Sequence, residues 1–373
     1  MQVIIAPDKF KGSLTSELVC DAITQGIVQA AKEKPEILHF PMADGGDGFN
    51  NVLRHYFQTR TVNAITVDPL GRTIETQYQL NKREKLAIVE MAAASGLVLL
   101  KDGERNPMST STLGTGTIIS DAYRLGARKI ILGLGGSATN DAGIGILAAL
   151  GFIFLNEAGE ELEPIGGNLL NIHMVKPPVQ LMDISFVIAA DVENPLFGPK
   201  GAAYVYGPQK GADNEMVEQL DLGLRHFASV IRRQFSKDIS VFPGSGAAGG
   251  IAAGLSAFFD VEMKKGVELV LQSNDLETAL KAADLIITGE GKIDDQSGSG
   301  KVVGTIASLA TKYNKPCIAF CGVLDAGENE VHALQLTAAY AIADPAKSSE
   351  ENMKDGFALL RDKAAIVFPL YQQ

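Results

Sequence analysis

The chain has 373 residues, 46% hydrophobic and 21% charged, and carries a formal net charge of −11. That length buries a large core and accommodates two domains, and the composition excludes wholesale disorder. The acidic balance argues against nucleic acid or an anionic membrane as the main partner, although a local group of lysines can still meet a small anionic substrate.

The run MQVIIAPDK puts Pro7, Asp8 and Lys9 directly after a short apolar stretch, which reads as a first strand and not as a signal peptide. No apolar segment reaches the roughly 18 residues that a spanning helix needs, so a cytosolic protein is expected. Val3 to Ala6 is the strand, and Thr15 to Lys32 follows with helical periodicity. Ile37 to Pro41 repeats the pattern, ending at Ala43-Asp44-Gly45-Gly46 before a helix from Phe49 to Phe57. Thr73 to Leu80 and Leu86 to Glu90 read as strands joined by the polar turn Asn81 to Glu84. Lys129 to Leu132 is a buried strand, Gly133 to Gly143 a glycine-rich run, and Ile144 to Leu150 a helix. Glu157 to Gln180 is an excursion rich in turn residues. Late in the chain, Leu285 to Thr288 ends at Gly289-Glu290-Gly291, with a helix from about Val302 to Tyr313, and Cys317 to Phe320 ends at Cys321-Gly322. Alternating strands and helices of this kind predict an α/β fold with a parallel sheet. The simplest architecture is discontinuous: residues 1–65 and 283–373 form a doubly wound domain, and residues 66–282 a mixed α/β insert.

Ligands of open parallel sheets bind beyond the carboxyl ends of the strands, and the polar clusters fall there. Asp8-Lys9-Phe10-Lys11-Gly12-Ser13 follows the first strand, and Asp44-Gly45-Gly46-Asp47-Gly48 the second. Asp191 and Asn194 follow the apolar run Phe186 to Ala190, and Glu290 and Asp294 follow a late strand. The run GLGGSATNDAG, from Gly133 to Gly143, joins backbone N–H groups that can face an anion to Ser137, Thr139, Asn140 and Asp141. Phosphoryl transfer needs all of these: cations against a polyanion, carboxylates to hold Mg²⁺, and a carboxylate near the attacking hydroxyl. Lys9, Lys11, Lys210 and Lys301 supply the first; Asp44, Asp47, Asp191, Glu290 and Asp294 supply the others.

Two formal motifs fall short. Asp295 to Val302 resembles a Walker A loop but lacks the first glycine and the hydroxyl after Lys301. Gly133-Leu-Gly135-Gly-Ser-Ala138 satisfies a dinucleotide fingerprint, with Glu157 about 20 residues on, and an NAD-dependent dehydrogenase is the rival reading. That rival leaves the other clusters without a purpose. The small residues from Gly244 to Gly254 admit two readings, close approach to an anion or tight helix packing. Cys20, Cys317 and Cys321 read as reduced core thiols, and the five histidines never reach a ligand spacing.

Five blocks, APDKFKGS, PMADGGDG, GLGGSATNDAG, AADVENPLFG with GPQKGA, and TGEGKIDDQSGSGK, together resemble the glycerate kinase family of type I. The resemblance implies ATP- and Mg²⁺-dependent phosphorylation of D-glycerate to 2- or 3-phosphoglycerate. It also implies a flavodoxin-like domain from both termini and a restriction-endonuclease-like insert, with the reaction between them. On that basis Asp191, Lys9, Lys11 and Asp44 are the expected catalytic residues. Gly135, Gly136, Ser137, Asn140, Asp141, Lys210, Gly289, Gly291 and Lys301 are expected to bind the nucleotide, and Glu290, Asp294 and Asp47 the metal. Ala142, where the family often has glycine, reads as one step into the following helix. No heptad or edge signal marks a dimer seam, so the oligomeric state stays open.

Overall fold

A strand covered on both faces shows an unbroken apolar run instead of alternation, and β1 (Gln2–Ile5) is of this kind, with Val3, Ile4 and Ile5 fully buried. In the computed structural model, which describes residues 1–43, 48–190, 192–273, 276–294 and 301–372, it is the first of thirteen strands among the described residues. The others are β2 (Glu36–His39), β3 (Arg60–Val67), β4 (Thr73–Asn81), β5 (Leu86–Glu90), β6 (Lys129–Gly133) and β7 (Ile153–Leu155). Then come β8 (Met174–Lys176), β9 (Ser185–Ala189), β10 (Asp260–Lys264), β11 (Leu285–Ile293), β12 (Cys317–Leu324) and β13 (Ala338–Ala341). Two units result, Met1–Asp44 with Lys265–Gln373, and Gly45–Lys264.

The first unit holds a five-stranded sheet, β13-β12-β11-β1-β2, parallel throughout. Numbered within the unit the order is 2-1-3-4-5, the flavodoxin-like winding, whose switch point lies between β1 and β11. Its core joins Val3, Ile5, Leu285, Ile287, Ile318 and Phe320 of the sheet to Ile23, Ile27 and Leu360 of the covering helices. Thr15 caps the helix Ser16–Ala30 by accepting the N–H of Leu18.

The second unit holds a mixed six-stranded sheet, β10-β9-β6-β5-β4-β3. Its β5, β6, β9 and β10 run parallel, while β3, β4 and β5 form an antiparallel meander. The turn after β4 is the expected one, with Asn81 Oδ1 accepting from the Glu84 amide at 3.0 Å.

The units divide the chain elsewhere than at residues 65 and 282. β3 pairs with β4 from Arg60 to Val67, which draws that segment into the second unit's sheet. At the other end, the helices Gly266–Ser273 and Leu276–Ala282 belong to the first unit. Two strands also run longer than the sequence suggested. β11 continues through Gly289, Glu290 and Gly291 to Ile293, in register with β12 from Cys317 to Leu324.

The helices Ser16–Ala30 and Gly356–Val367 pack backbone to backbone at Gly26, where a Cβ would lie 2.2 Å from the Arg361 carbonyl oxygen. Helix propensity favours alanine at such a position by about 1 kcal/mol, but the clash outweighs it. Gly26→Ala is therefore expected to lose about 2 kcal/mol or more in urea unfolding; a gain in stability would contradict this packing.

Candidate active site

The glycine-rich run leaves the sheet at the carboxyl end of β6, between β5 and β9. Three of its carbonyls are held within the protein. Gly136 O accepts from the Leu97 amide at 2.9 Å, Ala138 O from the Thr110 hydroxyl at 2.8 Å, and Thr139 O from Lys210 Nζ at 2.6 Å. The N–H groups of Gly135 and Gly136, by contrast, meet no acceptor among the described residues, and Gly136 is exposed. Gly136 has φ +71°, a left-handed conformation that suits glycine. A backbone that hides its oxygens and offers its N–H groups is a surface for an anion.

Two buried charges hold this shape. Lys210 is 2% exposed, and its ammonium also donates to Ser137 Oγ at 2.7 Å. It stands at the end of the turn Pro208–Lys210, followed by Gly211 at φ +94°, where a Cβ would come within 2.2 Å of the Arg105 carbonyl. Asp141 is wholly buried and accepts four hydrogen bonds: from the Thr112 amide and hydroxyl, both at 2.8 Å, and from the amides of Gly143 at 3.0 Å and Gly145 at 3.4 Å. Burial pushes the Asp141 carboxyl up, while those donors pull it down. Burial pushes Lys210 down to about 7, with Asp141 opposing the shift.

The segment from Gly244 to Gly254 supports the loop from beneath. Gly249 O accepts from the Ala142 amide at 2.9 Å, and a Cβ on Gly254 would lie 1.8 Å from Ala142 O. Tight packing thus accounts for its small residues. Ala142 has φ +51° and precedes the helix Ile144–Ala149, so it does not sit inside the helix as expected. A left-handed position explains why glycine suits this site. Asn140 is fully buried, and its side-chain amide meets no partner among the described residues.

The first unit gathers a second group at its switch point. Asp8 N donates to Gly289 O at 2.8 Å, joining the loop after β1 to β11, and the Asp8 carboxylate accepts from the Lys9 amide at 2.7 Å. Asp8, just past the carboxyl end of β1, and Glu290, three residues before the end of the adjacent β11, are each 8% exposed. Lys11 is exposed in the same loop, its amide 3.2 Å from where a Cβ of Gly291 would stand. The glycine at 289 has a packing cause of its own, since a Cβ there would lie 2.4 Å from Phe320 O. Asp294 pairs with Lys292 at 3.4 Å, and Lys301 immediately precedes the helix Val302–Lys312. The structure thus brings together Gly135, Gly136, Ser137, Asn140, Asp141 and Lys210 in one unit, and Lys9, Lys11, Gly289, Glu290 and Gly291 in the other. Asp44, Asp47 and Asp191 lie outside the described residues.

Sequence reasoning missed Thr110 and Thr112, which are fully buried and hold the loop and Asp141. The only signal was the hydroxyl run Ser109-Thr-Ser-Thr112 ahead of a helix. The dehydrogenase reading loses its context. β7, which follows the fingerprint, pairs antiparallel with β8 instead of extending the parallel sheet, and Glu157 is exposed.

The sequence profile of the Glycerate kinase family matches residues 3–372. A glycerate kinase of Halalkalibacterium halodurans is 42% identical over 97% of this chain and 96% of its own. The glycerate 2-kinase of Escherichia coli is 38% identical over 96% and 94%. Among solved structures, a glycerate kinase 2 of Salmonella typhimurium LT2 superposes with a TM-score of 0.86 at 36% identity, covering 99% of this chain and 98% of that one.

The lowered Lys210 value fixes a sign. Below pH 7 both folded and unfolded states hold the proton, and the full cost of burying the ammonium is present. Between about 7 and the usual 10.5 the unfolded state binds a proton the folded state has shed, so stability rises with pH. The stability gap between wild type and Lys210→Met, measured by urea unfolding at pH 7 and near pH 9.5, is expected to move in favour of wild type by more than about 1 kcal/mol. An unchanged gap would contradict a buried, titrating Lys210.

Proposed function

Since the chain belongs to the glycerate kinase family and is a kinase that phosphorylates glycerate, we propose that ATP is the donor, that Gly135, Gly136 and Ser137 receive its phosphates, and that the 2-hydroxyl of D-glycerate is the acceptor. The acceptor position follows the relative named a glycerate 2-kinase. One observation carries the phosphate assignment: the N–H groups of Gly135 and Gly136 meet no acceptor among the described residues, while the neighbouring carbonyls of residues 136, 138 and 139 are all hydrogen-bonded within the protein. Donors fixed in place before charge develops cost no reorganisation during the reaction.

Lys9 and Lys11 supply positive charge for anionic oxygens of glycerate or of the transferring phosphoryl group. Asp191 is the proposed base that orients the acceptor hydroxyl, with Asp44 as its alternative. Asp141 serves the loop, because both its oxygens already accept hydrogen bonds.

Magnesium fits the donor chemistry of the first unit. Among the described residues no group of three or more Asp, Glu, His or Cys could hold a metal alone. Mg²⁺ characteristically takes one or two carboxylates and completes its shell with phosphate oxygens and water. Asp8, in the loop after β1, and Glu290, in the neighbouring β11, would hold it, with Asp294 as a further oxygen donor. When bound, the ion offsets the negative charge of the phosphates.

Proton-coupled phosphorus NMR of a reaction containing ATP, Mg²⁺ and D-glycerate is expected to show ADP and a phosphomonoester doublet, since one hydrogen stands on C2. A triplet would move the acceptor to the 3-hydroxyl, and absence of an ester would remove the kinase reading. Gly136→Ala, which fills the left-handed, exposed position, is expected to lower kcat/KM for ATP by about 10²-fold with the fold retained; a value within about threefold of wild type would remove this loop from phosphate binding.

A further inference from the structure

We propose that Lys210 is a positioning residue that acts on the nucleotide through Ser137 and Thr139 and does not itself touch the phosphates. The inference rests on the phosphate reading of the Gly135–Ser137 loop and assigns the lysine a different part from the direct nucleotide contact suggested by sequence.

The side chain is 2% exposed, so its ammonium faces protein. Two of its hydrogens are spent on Ser137 Oγ at 2.7 Å and Thr139 O at 2.6 Å. A serine hydroxyl has one proton to donate and lone pairs to accept. Because Lys210 fills an acceptor direction of Ser137 Oγ, the hydroxyl proton is left to point at another acceptor. Ser137 then behaves as a third donor beside the amides of Gly135 and Gly136. Without Lys210 the hydroxyl is free to turn its proton toward the Thr139 carbonyl or another local oxygen, presenting a lone pair to the incoming anion.

The second bond complements the first. Thr139 O is the last of the three inward carbonyls, and among the described residues only Lys210 donates to it. Gly249 presses on the same carbonyl from beneath, its Cβ position 2.4 Å from Thr139 O, which fixes where the lysine must reach. Asp141 is the charged side chain whose field acts on Lys210, and it stabilises the ammonium in this dry setting. The lysine is thus a tether whose cost in desolvation is accepted for the sake of loop polarity.

A double-mutant cycle separates action through Ser137 from direct contact. The variants are Ser137→Ala, Lys210→Met and their combination, each checked by thermal melting and assayed for kcat/KM of ATP at saturating D-glycerate. Ser137→Ala is expected to cost about tenfold or more in the wild-type background and less than about twofold in the Lys210→Met background, since the hydroxyl is no longer aimed. Lys210→Met alone is expected to cost at least as much as Ser137→Ala. An equal Ser137→Ala penalty in both backgrounds overturns the proposal, and so does wild-type kcat/KM in Lys210→Met. A Ser137→Ala enzyme with wild-type kcat/KM overturns the inference; the phosphate reading of the loop falls as well only if Gly136→Ala also keeps the wild-type value. If Lys210→Met fails to fold, Lys210→Gln, which keeps an N–H donor but loses reach, takes its place in the same cycle.

Discussion

The conformation of one stretch of backbone underlies the proposed phosphate site of the second unit. Between Gly133 and Gly143 the chain leaves a buried parallel strand, and its peptide groups could point either way. Leu97, Thr110 and Lys210 capture the carbonyls of residues 136, 138 and 139, and the N–H groups of Gly135 and Gly136 meet no acceptor among the described residues. Each captured carbonyl contributes only about 1 kcal/mol net. Together they fix the peptide planes that follow residues 136, 138 and 139, next to the two glycine amides.

This constraint reaches outward through the second unit. Asp141 binds the loop to the start of the helix Leu113–Arg124 through Thr112, and to the next helix through Gly143 and Gly145. Gly249 and, in the helix Ile251–Ser256, Gly254 close the floor by backbone contact. A buried lysine and a buried carboxylate would each be costly alone. Placed under one loop, with hydrogen-bond partners for both, they hold a rigid frame. The first unit works by another principle: its 2-1-3-4-5 sheet opens a crevice where the winding reverses, and Asp8, Lys9, Lys11 and Glu290 cluster beside it.

Much of this was legible in the sequence. The helix Phe49–Phe57 and the strands around Asn81 stand where periodicity and turn residues put them, because amphipathic spacing and Asx turns are local properties. The parallel sheet followed from the alternation of strand and helix. What escaped depends on contacts distant in sequence. Gly289 and Gly291 looked like a loop, yet they continue β11, since glycine there answers to the close approach of β12 and Phe10. Ala142 looked helical, and its left-handed φ is set by the Gly249 carbonyl more than 100 residues away in the chain. Lys210 was found as a cation, but nothing in its neighbours announced that it would be buried. The boundary near residue 65 moved because strand pairing, not composition, decides which unit owns β3.

The central claim is that Gly135 and Gly136 present unpaired N–H groups to the phosphates of a nucleotide. Titration of ¹⁵N-labelled protein with ADP and Mg²⁺, followed by amide NMR, tests it directly. The account predicts saturable shifts of the Gly135 and Gly136 amide resonances, larger than those of glycines with packing roles such as Gly26 and Gly254. Saturable binding that leaves the Gly135 and Gly136 amides unmoved would contradict it.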